Sequence, residues 1–366
     1  MKILPTESKS ETKMGSDTAK VVVVEELARA TRPDADLEKV VLDKDLSWTK
    51  TMGLTSKREH CGVWLYYMIL PILFLLIFWS MMRYFVYLMV IRPKDLKRRL
   101  LGPERNLLVF DRAHWLLEKT RNGVMSWTAL AAIYSSLLVL RTERGWRKWI
   151  GLFWFSQPEA QAVRNRVLEV MDATYHHLHS LWFNGVRDLK IVSLASGSAQ
   201  ATLDAVALFI EHVPEARPYI HLTLVDLNEF SLELAKKVAD NNHIADLVEV
   251  RHESISDFTD RPENQGQFVV VEMAGFLDYR PDRKFVEACS GAASLLAPYG
   301  LIILAQIGPS HWALVTRWIT GWPRLIRRDA TEFRRLLEVS DLVKTQIQIN
   351  SDPWRIYHIA FCRRNG

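Results

Sequence analysis

From Lys190 to the C-terminus, short apolar runs alternate with stretches whose apolar residues recur at helical spacing. The runs at 190–195, 220–225, 247–251, 267–271 and 301–306 read as buried strands. Helical patterns at 201–212, 231–241 and 285–296 lie between them. This alternation predicts βαβ units and a mainly parallel sheet, hence an α/β fold. A helical pattern over 161–183 precedes the first strand, and Pro298-Tyr299-Gly300 reads as a turn before the fifth. Segments 345–350 and 354–362 read as two closing strands joined by a hairpin-like turn.

The first part of the chain is patterned differently. Residues 1–60 are mostly polar and without periodicity, so they bury too little surface to offset their ordering entropy and are expected to be disordered. Within them, Val21 to Val24 followed by Glu25-Glu26-Leu27-Ala28 suits a short strand or helix. A cleavable signal peptide is not expected, because the apolar run begins only at Gly62.

Residues 61–92 predict a membrane helix. Gly62 to Met82 carries no charge, Arg83 interrupts, and Tyr84 to Ile91 is apolar again. A span needs roughly 20 apolar residues, which the first half supplies by itself. Trp64, Tyr66 and Tyr67 at one end, and Trp79, Tyr84 and Tyr87 at the other, suit interfacial anchors. Arg83 can snorkel to the headgroups. Lys50, Lys57 and Arg58 precede the segment, whereas Arg92, Lys94, Lys97, Arg98, Arg99 and Arg105 follow it. That excess places the following domain on the cytoplasmic side, whether the helix is single-pass or lies in the membrane plane and breaks at Pro71. The same basic residues suit anionic membrane lipids as partners. The competing reading is a buried core helix, which rarely runs so long without a polar face.

Residues 93–159 form a helical, basic-aromatic linker region. Its apolar run 124–140 contains Ser126, Thr128, Ser135 and Ser136 and is near the minimum spanning length. A second crossing would carry the domain away from the cytosol, so this run is expected to pack on the domain or the bilayer surface. The following 144–155 interleaves basic and aromatic residues, as interfacial segments and as basic turns before core aromatics both do.

Composition changes this picture little. Hydrophobic residues make up 49% of the 366 positions, enough for a sizeable core, and the formal charge is +5. Nucleic acid is not an expected partner, since no concentrated basic stripe accompanies that mild charge. Cys61, Cys289 and Cys362 are far apart with no CxxC spacing, which suggests neither a zinc site nor a disulfide framework. A reducing compartment is the simplest reading.

The candidate chemistry sits where predicted strands end. The first strand runs into Ser196-Gly197-Ser198-Ala199-Gln200, and small residues there let a ligand approach the backbone and the helix N-terminus. Close helix–strand packing explains the same residues. The second strand ends in Asp226, placed to accept the hydroxyls of a ribose or, alternatively, to cap the next helix. The third leads to Glu253 through Phe258, and the fourth to Glu272 through Tyr279.

The order "IVSLASGSAQAT", "LTLVDLNEFSLELAKKVA", "FVVVEMAGFLDYRPD", "APYGLIILAQI" and "WPRLIRRDATEFRRLLEVSDL" resembles the class I S-adenosylmethionine (AdoMet)-dependent methyltransferases over about residues 160–366. More narrowly it resembles a poorly characterised methyltransferase family with a "GFLDY" segment and a late "WP…R" segment. The resemblance implies a Rossmann-like seven-stranded sheet with the last strand antiparallel, and S-adenosyl-L-methionine as cofactor. It places the glycine loop on Ser193, Ala195, Ser196, Gly197 and Ala199. The ribose carboxylate falls on Asp226, beside Leu227 and Asn228. Ser254 and Ile255 take the adenine loop, and Glu272, Met273 and Gly275 the loop after the fourth strand.

Departures from that pattern matter. Ser193 stands where an acidic residue is expected, removing a candidate partner for the AdoMet amino group, and Ala195 and Ala199 replace glycines. Alanine still allows close approach where its φ is negative. Asp278, Tyr279 and His311 are the candidate bases for an acceptor that must lose a proton. Arg324, Arg327 and Arg328 suit an anionic head group or a solvated helix start. His176, His177 and His179 lack a carboxylate at ligand spacing, so packing is expected of them rather than metal binding. The expectation is a membrane-tethered methyltransferase acting on a lipid or other small apolar acceptor, set against a catalytically inactive scaffold with the same fold. A nicotinamide oxidoreductase is disfavoured, because Gly-x-Gly-x-x-Gly is missing.

Overall fold

The computed structural model describes residues 155–313 and 325–365, together with Pro71, Phe74, Leu75, Phe78, Trp79, Met82, Leu130, Ile133 and Tyr134. Helix α1 (Pro158–Phe183) leads to β1 (Leu189–Leu194), α2 (Gln200–His212), β2 (Ile220–Asp226), α3 (Glu229–Asn241) and β3 (Val248–His252). Then follow α4 (Ile255–Thr259), β4 (Phe268–Ala274), α5 (Asp282–Ser294), β5 (Leu296–Ile307), α6 (Ala330–Val339), β6 (Gln346–Ser351) and β7 (Tyr357–Arg363).

The seven strands form one sheet in the order β3-β2-β1-β4-β5-β7-β6. β1 to β5 pair in parallel, because each successive pair is joined by a crossover containing a helix. β7 returns from β6 through a short turn, so it runs antiparallel to both β6 and β5. This is the mixed seven-stranded sheet that the resemblance implied. Of its parallel strands, β1, β2, β4 and β5 are covered on both faces and read as nearly continuous apolar runs, as burial on two sides demands, whereas the edge strand β3 is half exposed. One apolar cluster packs α1, α2 and α3 on the sheet, with Leu168, Leu203 and Phe209 fully buried. The other packs α5 and α6 around Phe285 and Phe333, whose rings meet edge-on at 5.9 Å.

One strand boundary departs from expectation. Pro298-Tyr299-Gly300 lies inside β5, where the pairing with β4 shifts register and Tyr299 takes φ +61°. An irregular strand with a bulge therefore replaces the expected turn. The expected turn between the last two strands is present at 352–356.

Most of the expected membrane segment 61–92, the segment 1–60 for which disorder was expected, and much of 93–154 lie outside the described residues. Pro71, Phe74, Leu75, Phe78, Trp79 and Met82 are helical and exposed. Among the described residues no helix is long and apolar enough to cross a membrane. Leu130, Ile133 and Tyr134 are helical and pack against the first core cluster.

Candidate functional site

The strand order reverses at β1: its chain continues to β2 on one side while β4 lies on the other. Ligand crevices in open α/β sheets form at such a switch point, beyond the carboxyl ends of the strands. Here the β1–α2 loop is held against β2. Ser196 N donates to Val225 O at 3.0 Å, and Gly197 N donates to Asp226 Oδ2 at 2.8 Å. Asp226 Oδ1 accepts from Asn228 N at 2.8 Å. Asn228, not Asp226, caps α3, its side chain accepting from Ser231 N at 3.2 Å. Each Asp226 oxygen thus accepts one backbone N–H, the Ser231 side chain adds a further hydrogen bond to the carboxylate, and the group stands at a half-buried strand end. Burial raises the Asp226 carboxyl above its ordinary range, while the Gly197 and Asn228 N–H groups pull it back.

Ala195, Gly197 and Ala199 have φ of +50°, +54° and +49°. The negative φ that close approach at an alanine requires is therefore not met. The loop keeps a backbone course that favours glycine while carrying methyl groups, a strain on the order of 1–2 kcal/mol per alanine. Within it, Ser196 Oγ is buried without a hydrogen-bond partner among the described residues. An orphaned hydroxyl in a loop of small residues fits a polar ligand placed there.

The carboxylate missing from position 193 is supplied across the sheet. Ser193 on β1 pairs with Glu272 on β4, and its hydroxyl donates to Glu272 Oε2. Glu272 Oε1 accepts from Ala274 N at 2.6 Å. Burial pushes the Glu272 carboxyl up, against the pull of the Ser193 hydroxyl. Sequence reading placed Glu272 in a cofactor loop but missed this substitution of one strand's carboxylate for another's, which needs the β1–β4 register.

Next to Glu272 lies a buried network that sequence reading also missed. Gly275 has φ +99°, and a Cβ there would stand 2.8 Å from Nη1 of Arg166. That guanidinium, from α1, donates to Tyr357 Oη at 3.2 Å and to Tyr134 Oη at 2.6 Å, with Asp278 Oδ2 at 3.9 Å. The available sequence signal was an arginine on the apolar α1. Asp278 Oδ1 accepts from Ile307 N at 2.7 Å and Gln306 Nε2 at 3.3 Å, and Oδ2 accepts from Tyr357 Oη at 3.2 Å. Burial raises the Asp278 carboxyl and Arg166 opposes this. Asp278, a candidate base from sequence, is thus enclosed in hydrogen bonds that tie the loop after β4 to the end of β5. Tyr279 is half-buried beside it.

The remaining candidates are scattered. Ser254 caps α4, accepting from Asp257 N at 3.0 Å, and Ile255 packs on the second core cluster. Leu227 is 68% exposed at the end of β2, whereas Met273 is fully buried and offers only its backbone. Arg327 donates to Glu159 at 2.7 Å, and fully buried Arg328 donates to Gln306, Arg280 O and Asp282. Neither is a head-group ligand or part of a solvated helix start; both are internal ties, and Arg324 lies outside the described residues. His311 is exposed and lines a cavity of about 350 Å³ with Pro309, Ser310, Trp312, Trp354, Arg355 and Ile356. His176 packs edge-on to Tyr175 at 5.2 Å and His179 lies 4.4 Å from Phe183. Among the described residues no cluster of His, Cys, Asp and Glu could hold a metal.

No protein-family model and no curated protein matches the chain. Among solved structures it is similar to a protein of Bordetella parapertussis described as a possible exported protein, at TM-score 0.50 and 15% identity over 66% of this chain and 87% of that one. It also aligns with magnesium protoporphyrin IX methyltransferase of Synechocystis PCC 6803 with bound SAH, at TM-score 0.42 and 13% identity over 63% and 94%. An O-methyltransferase family protein from Burkholderia thailandensis aligns at TM-score 0.39 and 13% identity over 67% and 74%. At such identities the likeness speaks to fold alone.

Proposed function

We propose that this chain is an AdoMet-dependent methyltransferase, tethered to the cytoplasmic face of a membrane and acting on a lipid or other small apolar acceptor. The observation that carries the reading is the switch point of the sheet, where the β1–α2 loop is tied to Asp226 on one side of β1 and Ser193 to Glu272 on the other. The half-buried Asp226 carboxylate at the end of β2 suits the ribose hydroxyls. Glu272 suits the amino group in place of the missing acid, and exposed Leu227 suits an adenine face. Ser196 Oγ offers a further polar contact. When bound, the cofactor supplies a methyl group on a sulfonium centre. The chain's part is to align the acceptor in line and exclude water. Enclosed Asp278 holds the β4 and β5 ends in place, and His311 at the cavity mouth is the group placed to take a proton. The finer likeness to a GFLDY family rests on Gly275 to Tyr279. Membrane attachment is supported by the charge-free run from Gly62 to Met82, with exposed Phe74, Leu75, Phe78, Trp79 and Met82. The strained alanines favour a second reading, a scaffold that has lost the cofactor.

Calorimetric titration of AdoMet into the full chain in phosphatidylcholine nanodiscs separates the two. Micromolar binding, abolished by Asp226→Ala, is expected. A folded chain that takes up no heat from AdoMet refutes the enzyme reading.

A further inference from the structure

The cavity of about 350 Å³ lies between two segments far apart in the chain, Pro309–Trp312 after β5 and Trp354–Ile356 before β7. Its volume is within the range of small-molecule sites. The second segment is held rigidly. Buried Asp352 accepts from Trp354 N at 3.0 Å and from Ile356 N and Tyr357 N at 2.7 Å each. Gly308 N donates to Ile356 O at 2.6 Å, locking the two walls together. Trp354 Nε1 donates to Gln161 Oε1 at 3.1 Å, fixing one indole, and Trp312 is the second, 5% exposed. Exposed His311 and Arg355 complete the lining, which among the described residues carries no acidic side chain. Arg355 is held at φ +54°, a conformation of higher energy for a non-glycine residue, at the top of the turn.

The cavity walls follow the end of β5 and precede the start of β7, so they lie at the same end of the sheet as the carboxyl ends of β1 to β5. β5 is the neighbour of β4, so its end stands about 4.8 Å from that of β4 along the sheet. Asp278 fastens the β4 loop to Ile307, the last residue of β5 and two before the cavity wall. Arg327 and Arg328 being internally paired, Arg355 is the exposed arginine of this wall among the described residues.

We infer that this cavity receives the methyl acceptor, and that the acceptor is a planar or unsaturated molecule carrying a carboxylate or phosphate. Its apolar body lies against Trp312 and Trp354 and its anion on Arg355, as a guanidinium pairs with either group. Calling the ligand the acceptor rests on the methyltransferase reading; the anion-selective cavity does not.

The test titrates 1-naphthyl phosphate and 1-naphthol separately into the full chain in phosphatidylcholine nanodiscs, with AdoMet titrated into the same samples. The phosphate is expected to bind at least tenfold tighter than the naphthol. Arg355→Gln removes that preference, Arg355→Lys retains most of it, and AdoMet affinity is unchanged in both. Equal affinity for the two probes, or a preference that survives Arg355→Gln, overturns the inference. Phosphate binding without AdoMet binding sinks the methyltransferase reading and leaves the cavity standing. Discs containing phosphatidic acid identify the source of the anion: competition with the naphthyl phosphate assigns it to a lipid, undiminished affinity to a soluble molecule, and both keep the cavity anion-selective.

Discussion

Ser193→Asp would restore the acidic residue that the family pattern expects, and sequence alone recommends it as a gain. The structure predicts the opposite. Glu272 already donates its carboxylate to this spot, hydrogen-bonded to Ser193 and buried. A second carboxylate at 193 stands roughly 4 Å from the first, which at an effective dielectric of 20 costs about 4 kcal/mol when both are ionised. The pair avoids part of this by keeping a proton, so the folded form binds more protons than the unfolded chain. Its pKa is raised on folding; stability is therefore retained below about pH 4 and falls as the pH rises through the folded value. Urea unfolding followed by tryptophan fluorescence at pH 5 and pH 8 reads this directly. With an m-value of about 2 kcal/mol/M, the midpoint at pH 8 drops by about 2 M, and the drop shrinks toward pH 5. Ser193→Asp combined with Glu272→Ser moves the carboxylate back to β1 and recovers most of the loss. If Ser193→Asp alone is as stable as the parent at pH 8 and binds AdoMet more tightly, the assignment of Glu272 as the replacement acid is wrong.

Gly275→Ala drives a methyl group to 2.8 Å from Arg166 Nη1 at a φ of +99°, so stability falls by about 2 kcal/mol or more, measured by urea midpoint, with weaker AdoMet binding. Asp278→Ala leaves the Arg166 guanidinium buried without its carboxylate and should cost about 3–5 kcal/mol, whereas Asp278→Asn, which can still accept from Ile307 N, costs less in the same assay. Burial lowers His177 from its ordinary 6.5 to a pKa of about 4, so this residue's stabilising effect is present above pH 6.5 and lost as the pH falls through 4. The loss reaches about 3 kcal/mol relative to His177→Gln, and an NMR titration of the ring giving an ordinary midpoint would contradict it.

The alternation of apolar runs with helical patterns, local along the chain, was sufficient to locate the cores of all seven strands and helices between them. It also placed Asp226 at a strand end and the tight turn before the last strand, because side-chain periodicity and turn chemistry are properties of neighbouring residues. Position 193 shows where such reading stops. Its serine looks like a lost acid until the β1–β4 register sets Glu272 beside it. The loop alanines look compatible with negative φ until the tie between Gly197 and Asp226 bends the backbone the other way. Arg327 and Arg328 look like an exposed basic cluster until α1 and the β4 loop close over them. The cavity joins residues from 309 to 356 that no local window holds together. In each case the deciding contact is between residues far apart in sequence. A strand's register and a helix's docking face are set by the packing of the whole sheet, so tertiary structure alone decided which charges are buried, which are paired and which are left to meet a ligand.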